Sequence, residues 1–448
     1  MHKIYFSFLL IFLLYPSYSR AITTTNFIPL SIDLEKAMNM DENYSFAVKT
    51  AQSEQNNADS QKIFALTQIG PSVSSAGAMN WYDKSNTFAN VNNHGEGNNS
   101  STLSVTASEP LIGLIPGSLK IGQTSASLRA SEHELTAAKI NARLEGAKAY
   151  ILVQQALRTL EAKKVASKFA DETYKQSQIL FDTGSVEKTK IDVLQTKAEA
   201  ATARLAEIST QKDLQTALID LGIKIGIQNI ELLQVSLEEV SEWEKINPKV
   251  PDYQLALTQA FEQRPEINAS QENYKASKLK VDQGYFNYLP QVNLFATYSR
   301  TTNDSPTTYP DANINQSLYG ISLNWSIWDG GVQAAQMSDN VNEKTKAFIE
   351  QEKTMQTVTQ DVQNALNNLN TAIKSLNDAK EASQSYEESF KLATIQYMTG
   401  DYSTIDLIET QNKMTATQVA LANVRSELDL SWMELQAALG QSPRITQN

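Results

Sequence analysis

In the second half of the chain, apolar or small residues recur with the period that is typical of long coiled-coil helices. Counting back from Tyr397, these residues recur at alternating steps of four and three as far as Met355. A spacing of 3.5 residues held this long predicts a helix that winds left-handed around its neighbours. No proline or glycine interrupts residues 333–399, so the predicted helix is on the order of 100 Å long at about 1.5 Å per residue. A compact globular domain does not need a rod of this length.

A related segment occurs earlier in the chain and ends in the same type of turn. Phe181-Asp182-Thr183-Gly184 corresponds to Tyr397-Met398-Thr399-Gly400, and an Ile-Asp pair follows each turn, at 191–192 and 405–406. The spacing between corresponding positions is constant on either side of the turns, and the first turn is two residues longer than the second. The sequence therefore predicts two repeats, each with a long helix, a helix-tip turn at Gly184 or Gly400, and an antiparallel return helix.

Ahead of each long helix the apolar period changes from 3.5 to 2. In the second half Val292, Leu294, Ala296 and Tyr298 alternate with mostly polar residues, and a similar alternation runs from Tyr319 to Ile327. Runs of about ten residues with one apolar face have the length of strands that cross an outer membrane. The aromatic residues that we expect at the headgroup levels are Tyr298, Tyr319, Trp325 and Trp328.

The predicted organisation places the same elements in both repeats, separated by an irregular joint at 227–250 and followed by a tail at 441–448. Each repeat opens with a shorter helix, the first starting at Ile32 behind a Ser31 cap and the second broken at Arg264-Pro265. The first repeat is 20–226, with strands 71–82 and 101–110 and long helices 118–183 and 192–221. The second repeat is 251–440, with strands 290–301 and 317–328 and long helices 333–399 and 406–439.

The first 19 residues have the pattern of a secretory signal, with Lys3, an apolar run from Ile4 to Tyr15, and cleavage after Ser19 or Ala21. The run is shorter than the about 20 apolar residues that a membrane-spanning helix needs. The chain has no cysteine, which excludes a lipid anchor on an N-terminal cysteine and thiol catalysis. Its three histidines have no metal-ligand spacing, so we expect no metal and no cofactor. A net charge of −12 argues against nucleic acid as a partner.

Four predicted strands are too few to close a membrane barrel, since the smallest has about eight. An open sheet edge is not viable in lipid, so identical chains must share one barrel. Two chains would give a barrel filled by side chains, and three would give one with a lumen. The predicted fold class is therefore an α+β membrane protein whose long helices extend the barrel as a tube.

A set of short motifs recurs in the same order in both repeats. They are Pro71 and Pro290 before the strands, Ser326-Ile327-Trp328-Asp329-Gly330-Gly331 before the long helix, the two helix-tip turns with their Ile-Asp pairs, and the terminal glycines Gly226 and Gly440. With these motifs, the layout resembles the TolC-like outer-membrane efflux family over the whole mature chain. The resemblance implies a homotrimer whose 12-stranded barrel lies in outer-membrane lipid and continues as an α-helical periplasmic tunnel. It also implies a passive exit duct, which works with a periplasmic adaptor protein and an inner-membrane pump of the RND or ABC type in drug efflux or type I secretion.

The same resemblance implies a gate at the periplasmic helix tips. Asp406 and Glu409 fall where acidic side chains ring the narrowest point of family members, and Tyr397 and Asp192 fall where a hydrogen-bonded latch holds the closed state. Tyr402 stands where family members often place an arginine in that latch. A second interpretation remains for the acidic pair, because a helix N-terminus by itself favours acidic residues in its first turn.

Two other classes of function remain to be compared with the duct. A coiled-coil structural or adhesive surface protein also has heptads, but it does not predict strands placed symmetrically in both halves. An exported hydrolase has one isolated motif, Asp182-Thr183-Gly184-Ser185, which matches an aspartic-protease signature. That chemistry needs a second carboxylate beside the first, and here the motif ends a helix. We therefore expect that the chain is not an enzyme.

Overall fold

The computed structural model describes residues 30–81, 99–111, 114–183, 189–227, 233–235, 250–304 and 312–444. The predicted signal at 1–19, the turn glycine Gly184 and most of the predicted joint lie outside these ranges. The helices of the described part are α1 (Leu34–Tyr44), α2 (Phe46–Thr67), α3 (Leu114–Asp182), α4 (Lys190–Ile225), α5 (Tyr253–Gln263), α6 (Pro265–Phe286), α7 (Val332–Thr399) and α8 (Thr404–Ala438). The strands are β1 (Leu30–Ile32), β2 (Ser72–Trp81), β3 (Asn99–Pro110), β4 (Leu233–Val235), β5 (Gln291–Asp304) and β6 (Ala312–Asn324).

The two longest helices are near-equal rods, with 69 residues in α3 and 68 in α7. In each repeat the long helix lies along its own return helix, α4 or α8, and α3 also lies along α8. The predicted heptad positions of α7 from Val358 to Tyr397 are mostly buried, whereas Met355, Ala379 and Tyr386 are half-buried. The 3.5-residue period therefore produces a continuous packing surface between helices.

The first short helix starts later than the sequence predicts. Ser31 and Ile32 belong to β1, which pairs in parallel with β4 from the middle of the predicted joint. Asp33 caps α1 instead, since its Oδ1 accepts a hydrogen bond of 2.7 Å from the backbone nitrogen of Lys36. The prediction of a Ser31 cap was wrong because strand pairing with a distant segment competes for that backbone.

The long helices also begin earlier than predicted. Helix α3 starts at Leu114 rather than at residue 118, since Pro116 lies in the first turn, where a missing backbone N–H costs nothing. Helix α4 starts at Lys190 and runs to Ile225, where Gly226 adopts a left-handed conformation with φ 76°. Helix α8 starts at Thr404 and ends at Ala438.

The strands β2, β3, β5 and β6 form one antiparallel sheet in that order. The sheet thus pairs the strands of the two repeats through β3 and β5, and β2 and β6 lie at its edges. The last strand covers 312–324, not 317–328 as predicted. The apolar alternation continues past Asn324, but Asp329 accepts hydrogen bonds from the backbone nitrogens of Gly331 and Gln333, which turns the chain into α7.

Each repeat closes with a glycine that packs into the break between its two short helices. The break lies at Ser45 in the first repeat and at Arg264 in the second. Gly226 lies against the ring of Tyr44, and Gly440 lies against the backbone of Gln263 and Arg264. Among the described helices, none has a stretch long and apolar enough to cross a membrane.

Candidate functional site

The turn between α7 and α8 is a compact helix stop centred on Gly400. This glycine has φ 88°, and its backbone nitrogen donates to the carbonyl oxygens of Gln396 and Tyr397. The nitrogen of Asp401 donates to the same Gln396 oxygen at 2.9 Å. These bonds satisfy the last carbonyls of the helix, and the left-handed backbone favours glycine. The sequence-predicted tip turn at Gly400 is therefore a sharp reversal between two rods.

Both return helices begin with the same type of cap. In α4 the Oδ2 of Asp192 accepts hydrogen bonds from the backbone nitrogen (2.8 Å) and the hydroxyl (2.7 Å) of Thr189. In α8 the Oδ2 of Asp406 accepts a hydrogen bond of 2.7 Å from the hydroxyl of Ser403. A carboxylate in this position satisfies first-turn donors and interacts favourably with the helix dipole. Asp192 and Asp406 are thus equivalent residues of the two repeats.

Capping does not bury these carboxylates. The side chains of Asp406 and Glu409 are exposed at the tip of α8, and that of Asp192 is half-buried at the tip of α4. Asp406 and Glu409 lie one helical turn apart on the same face of α8, so their negative charges act on the same region of solvent. Asp406 therefore contributes to the cap of α8 and still exposes its carboxylate to ions in solution.

A cation that the sequence analysis did not single out lies beside the acidic pair. The Nζ of Lys413 is 2.6 Å from the Oε1 of Glu409, an i,i+4 ion pair on the exposed face of α8. The hydrogen bond from Lys413 to Glu409, together with the carboxylate's charge, raises the pKa of that lysine. The i,i+4 spacing of the two residues was visible in the sequence and puts them on one helix face, but it does not show that their side chains meet, because that depends on rotamers. Asp406, Glu409 and Lys413 together carry one net negative charge per chain.

Tyr397 lies in an apolar cluster at the tip rather than on the surface. Its side chain is 3% exposed and packs with Phe390, Leu407 and Met414. Phe169 of α3 adds an edge-to-face contact with Phe390, at 5.3 Å between ring centroids, so the cluster also ties the tip to the first repeat. Tyr402, at the position of the family's arginine, forms a 3.2 Å hydrogen bond between its hydroxyl and that of Thr410.

The two faces of the sheet differ in chemistry. One face carries hydroxyl pairs across neighbouring strands: Ser72–Ser108 and Thr106–Thr297 at 2.9 Å and Thr102–Thr301 at 3.1 Å. The opposite face carries exposed apolar side chains, a pattern that a sheet in water does not favour. Its residues include Val73, Leu103, Val105, Leu294, Tyr298, Tyr319, Ile321 and Leu323.

Within the part of the chain that the structure describes, no group of three or more histidine, aspartate or glutamate side chains is placed to hold a metal ion. The described residues at the tips are instead held in place by helix-capping hydrogen bonds, an ion pair and aromatic packing. The arrangement is suited to attracting ions and to holding helices together.

Comparisons with known proteins agree with this architecture. The chain is similar to the outer membrane protein TolC of Escherichia coli, at 23% identity over 306 residues that cover 66% of this chain and 61% of TolC. It is 24% identical to the outer membrane efflux protein BepC of Brucella suis over 71% of this chain and 69% of BepC. The crystal structure of the Campylobacter jejuni CmeC outer membrane channel superposes with a TM-score of 0.79 at 17% identity, covering 96% of this chain and 92% of that chain.

The family described as outer membrane efflux protein matches residues 42–226 and 256–441, one segment in each repeat. The two matched segments cover most of the described helices and strands, so the resemblance seen in the sequence is confirmed. The chain belongs to the outer membrane efflux protein family, and it is accordingly an outer-membrane protein with a periplasmic helical part and not an enzyme.

Proposed function

We propose that this chain forms the passive outer-membrane exit duct of a tripartite efflux or type I secretion system. The observation that carries the proposal is the sheet, whose apolar face is exposed, whose opposite face carries hydroxyls, and which continues into rods of about 100 Å. An apolar outer face and a polar inner face are the arrangement of a membrane barrel with a water-filled interior.

The assembly that fits this sheet is a homotrimer. A single chain supplies the four strands β2, β3, β5 and β6 within the described residues, with β2 and β6 at the edges. Pairing β2 of one chain with β6 of the next satisfies both edges and closes a ring. Three chains give 12 strands, a number that leaves a lumen, and the hydroxyl face then lines it.

The gate of the duct lies at the tips of α7 and α8. In a trimer, Asp406 and Glu409 form rings of negative charge that attract cations and resist closing on one another. Lys413 offsets part of this charge through its pair with Glu409. Tyr397 and Asp192 form the closed-state latch, which lacks the family's usual arginine because Tyr402 occupies that position. The tips then meet a periplasmic adaptor protein, and an inner-membrane pump of the RND or ABC type supplies the energy.

The duct predicts ion conduction by the purified protein. We expect mature protein reconstituted in planar bilayers or liposomes to form ion-conducting pores that prefer cations. The matched comparison is extraction of cell envelopes, because a coiled-coil adhesive stalk, unlike a membrane barrel, dissolves without detergent. Protein that is released by salt alone and never conducts would contradict the duct and favour the stalk.

Neutralising the acidic pair tests the gate. The double variant D406N/E409Q changes the tip from one net negative charge per chain to one net positive charge, because Lys413 remains. We expect the cation-to-anion permeability ratio to fall by about tenfold, the lower end of the ion enrichment that charged clefts produce. Reversal potentials under a salt gradient measure this ratio.

The control uses the equivalence of the two repeats. Asp192 accepts a hydrogen bond from the N-cap hydroxyl of α4, as Asp406 does in α8, so D192N changes the equivalent capping contact at a position outside the proposed ring. We expect D192N to change the open probability through the latch and to leave the permeability ratio in place. An unchanged ratio in D406N/E409Q would place these carboxylates away from the pore axis.

A further inference from the structure

We propose that a cavity at the junction between the sheet and the helices binds a small amphipathic anion, such as an aromatic carboxylate or sulfonate. The cavity has a volume of about 320 Å³, and it is lined by residues at the ends of α2, β3 and α6 and at the starts of α3 and β5. Its place inside the duct rests on the proposed function, whereas the binding depends only on residues of a single chain.

Close packing of two helix ends forms one wall of the cavity. A Cβ on Gly117, near the start of α3, would overlap the side chain of Ile69, just beyond the end of α2. Gly117 and Gln68, the neighbour of Ile69, both line the cavity, so this close approach fixes the wall. The volume lies at the lower end of the range of small-molecule sites, which is about 300 to 1,000 Å³. The occupant is therefore a small molecule.

The strand residues of the cavity belong to the hydroxyl face of the sheet. Pro110 pairs with Asn293 in register, two residues along from the pair of Ser108 with Phe295, and Ser108 carries one of the hydroxyls of that face. Because side chains alternate between the two faces of a sheet, Pro110, Asn293 and Gln291 share the hydroxyl face. In the proposed barrel this face lines the water-filled interior, so the cavity opens where the helical tube meets the barrel.

The charge of the cavity is positive, although the whole chain has a net charge of −12. Lys120 is the one charged residue among the described residues that line it, and its side chain is half-buried. The Nζ of Lys120 donates to Oε1 of Gln123 at 3.1 Å, which leaves its other ammonium hydrogens for a ligand. Glu109, the residue before Pro110, lies on the opposite face of the sheet. An ammonium group partly removed from water attracts an anion more strongly than an exposed one does.

The other lining residues offer polar and apolar contacts side by side. Phe286, Leu289 and Pro290 supply apolar surface. Side-chain amides also reach the cavity, and none of them forms a hydrogen bond with another described residue; they belong to Gln68, Gln283, Asn287, Gln291 and Asn293. Amide groups bind the oxygens of a carboxylate or sulfonate, and apolar surface packs against a ring. An amphipathic anion uses both kinds of contact, whereas an inorganic anion leaves the apolar surface uncovered.

The site gives the two ends of the proposed tube opposite charges. The tips carry the exposed carboxylates of Asp406 and Glu409, and the junction with the barrel carries the ammonium group of Lys120. A cation is stabilised at the tips, whereas an anion is stabilised at the junction. The cargo that this site holds is accordingly an amphipathic anion, which passes the tips under the drive of the pump.

Calorimetry with naphthalene-2-sulfonate tests the binding, and naphthalene-2-sulfonamide is a neutral probe of similar shape. We expect the detergent-solubilised protein to bind the sulfonate at least about tenfold more tightly, the difference that a hydrogen bond to a charged group makes. K120Q should lose this preference and K120R should keep it, because arginine retains the charge. F286A should weaken the binding of both probes. The matched control is K374Q, because Lys374 is exposed on α7 and does not line the cavity.

Cysteine protection locates the bound probe, because the chain contains no cysteine. N287C places a thiol on an exposed residue of the cavity lining, and the sulfonate should slow its reaction with a maleimide. S209C, on the exposed surface of α4, should react at the same rate with and without the probe. Binding that K120Q leaves unchanged, or that leaves N287C unprotected, overturns the site.

Single-channel recording separates the site from the proposed duct. A ligand bound at the junction narrows the pore, so the sulfonate should reduce the current, and K120Q should need about tenfold more probe for the same reduction. Binding without any reduction of the current overturns the place of the cavity in the lumen. Protein that binds the sulfonate but never forms pores overturns the duct and leaves the site standing, and protein that forms pores but does not bind the sulfonate overturns the site alone.

Discussion

The D41N variant is expected to be more stable than the wild-type protein at pH 7 and to lose that advantage at pH 4. Asp41 faces α3 from α1, is 2% exposed, and has an Oδ2 atom without a hydrogen-bond partner. Burial raises the pKa of this carboxyl from 3.8 to about 6; the charge of Lys224 works against the shift and that of Glu145 adds to it. A shift of this size is worth about 3 kcal/mol of folding free energy, at about 1.4 kcal/mol per pH unit.

The direction of the pH dependence follows from the raised pKa. Between pH 4 and pH 6 the folded protein keeps a proton on Asp41 that the unfolded chain releases, so stability falls as the pH rises through this window. Above about pH 6 the full cost of a buried charge is present. Asparagine has the same shape without the charge, so its stabilising effect grows across the window and is constant above it. Thermal unfolding in detergent from pH 4 to pH 8 measures the difference.

The neighbouring residue supplies the control. Glu42 is on the same helix, but its carboxylate pairs with Arg143 at 3.3 Å and is partly exposed. E42Q removes an acid without relieving a buried charge, so it should give no gain at pH 7. If D41N gave the same advantage at pH 4 as at pH 7, packing rather than charge would be the cause, and no advantage at pH 7 would show that the charge is already compensated.

Asp41 shows what a sequence pattern reveals and what it leaves out. Leu34, Ala37 and Met38 mark an apolar stripe, and Asp41 stands at the next position of that stripe. The signal of a buried acid was therefore present. Its consequence depends on a close approach of α1 to α3, where a Cβ on Gly146 would lie 2.9 Å from the Ala37 carbonyl oxygen. In the second repeat Ala260 corresponds to Asp41 and Val362 corresponds to Gly146, so this contact buries no carboxyl group there.

The elements that the sequence predicted best are those whose apolar pattern is repeated over many residues. The heptad seam of α7 and the alternating strands are repeated many times, so a single exception does not change them. The pairing of β1 with β4 was not predictable, because three-residue strands have no period and β4 lies in the joint, far along the chain from β1. At the tips, the resemblance assigned Asp406 and Glu409 to an acidic ring and Asp192 to a latch, and the structure adds that Asp192 and Asp406 accept hydrogen bonds from the N-cap hydroxyls of their helices. The sequence did not show that Lys413 binds Glu409, since that pair depends on rotamers.

The second large effect is expected at the repeat-terminal glycines. G440A should lower the free energy of unfolding by about 2 to 5 kcal/mol, from about 1 to 2 for a left-handed backbone and about 1 to 3 for overpacking. Gly440 has φ 77°, and an added Cβ would lie 2.7 Å from the carbonyl carbon of Gln263 and 2.8 Å from the nitrogen of Arg264. Because these are backbone atoms, the α5–α6 break itself must move.

Two other glycines separate the conformational cost from the contact cost. Gly226 has φ 76° and a Cβ there would overlap the Tyr44 ring, but a side chain can rotate away more easily than a backbone can move. Gly330 has φ 72° and nothing within 4 Å of its Cβ position, so G330A shows the conformational cost alone. We expect the loss of stability to follow the order G440A, G226A, G330A, as measured by thermal unfolding in detergent.

Hydrogen exchange shows which part of the structure each glycine substitution destabilises. In G440A, amide exchange should increase at residues 253–266, on both sides of the break, because the glycine holds α5 and α6 against the end of α8. In G330A that region should exchange as in the wild-type protein, since the altered residue lies at the start of α7, far along the chain from the break. Equal losses in G330A and G440A, with no local change in exchange, would mean that the close approach at Gly440 contributes nothing and that φ alone requires glycine there.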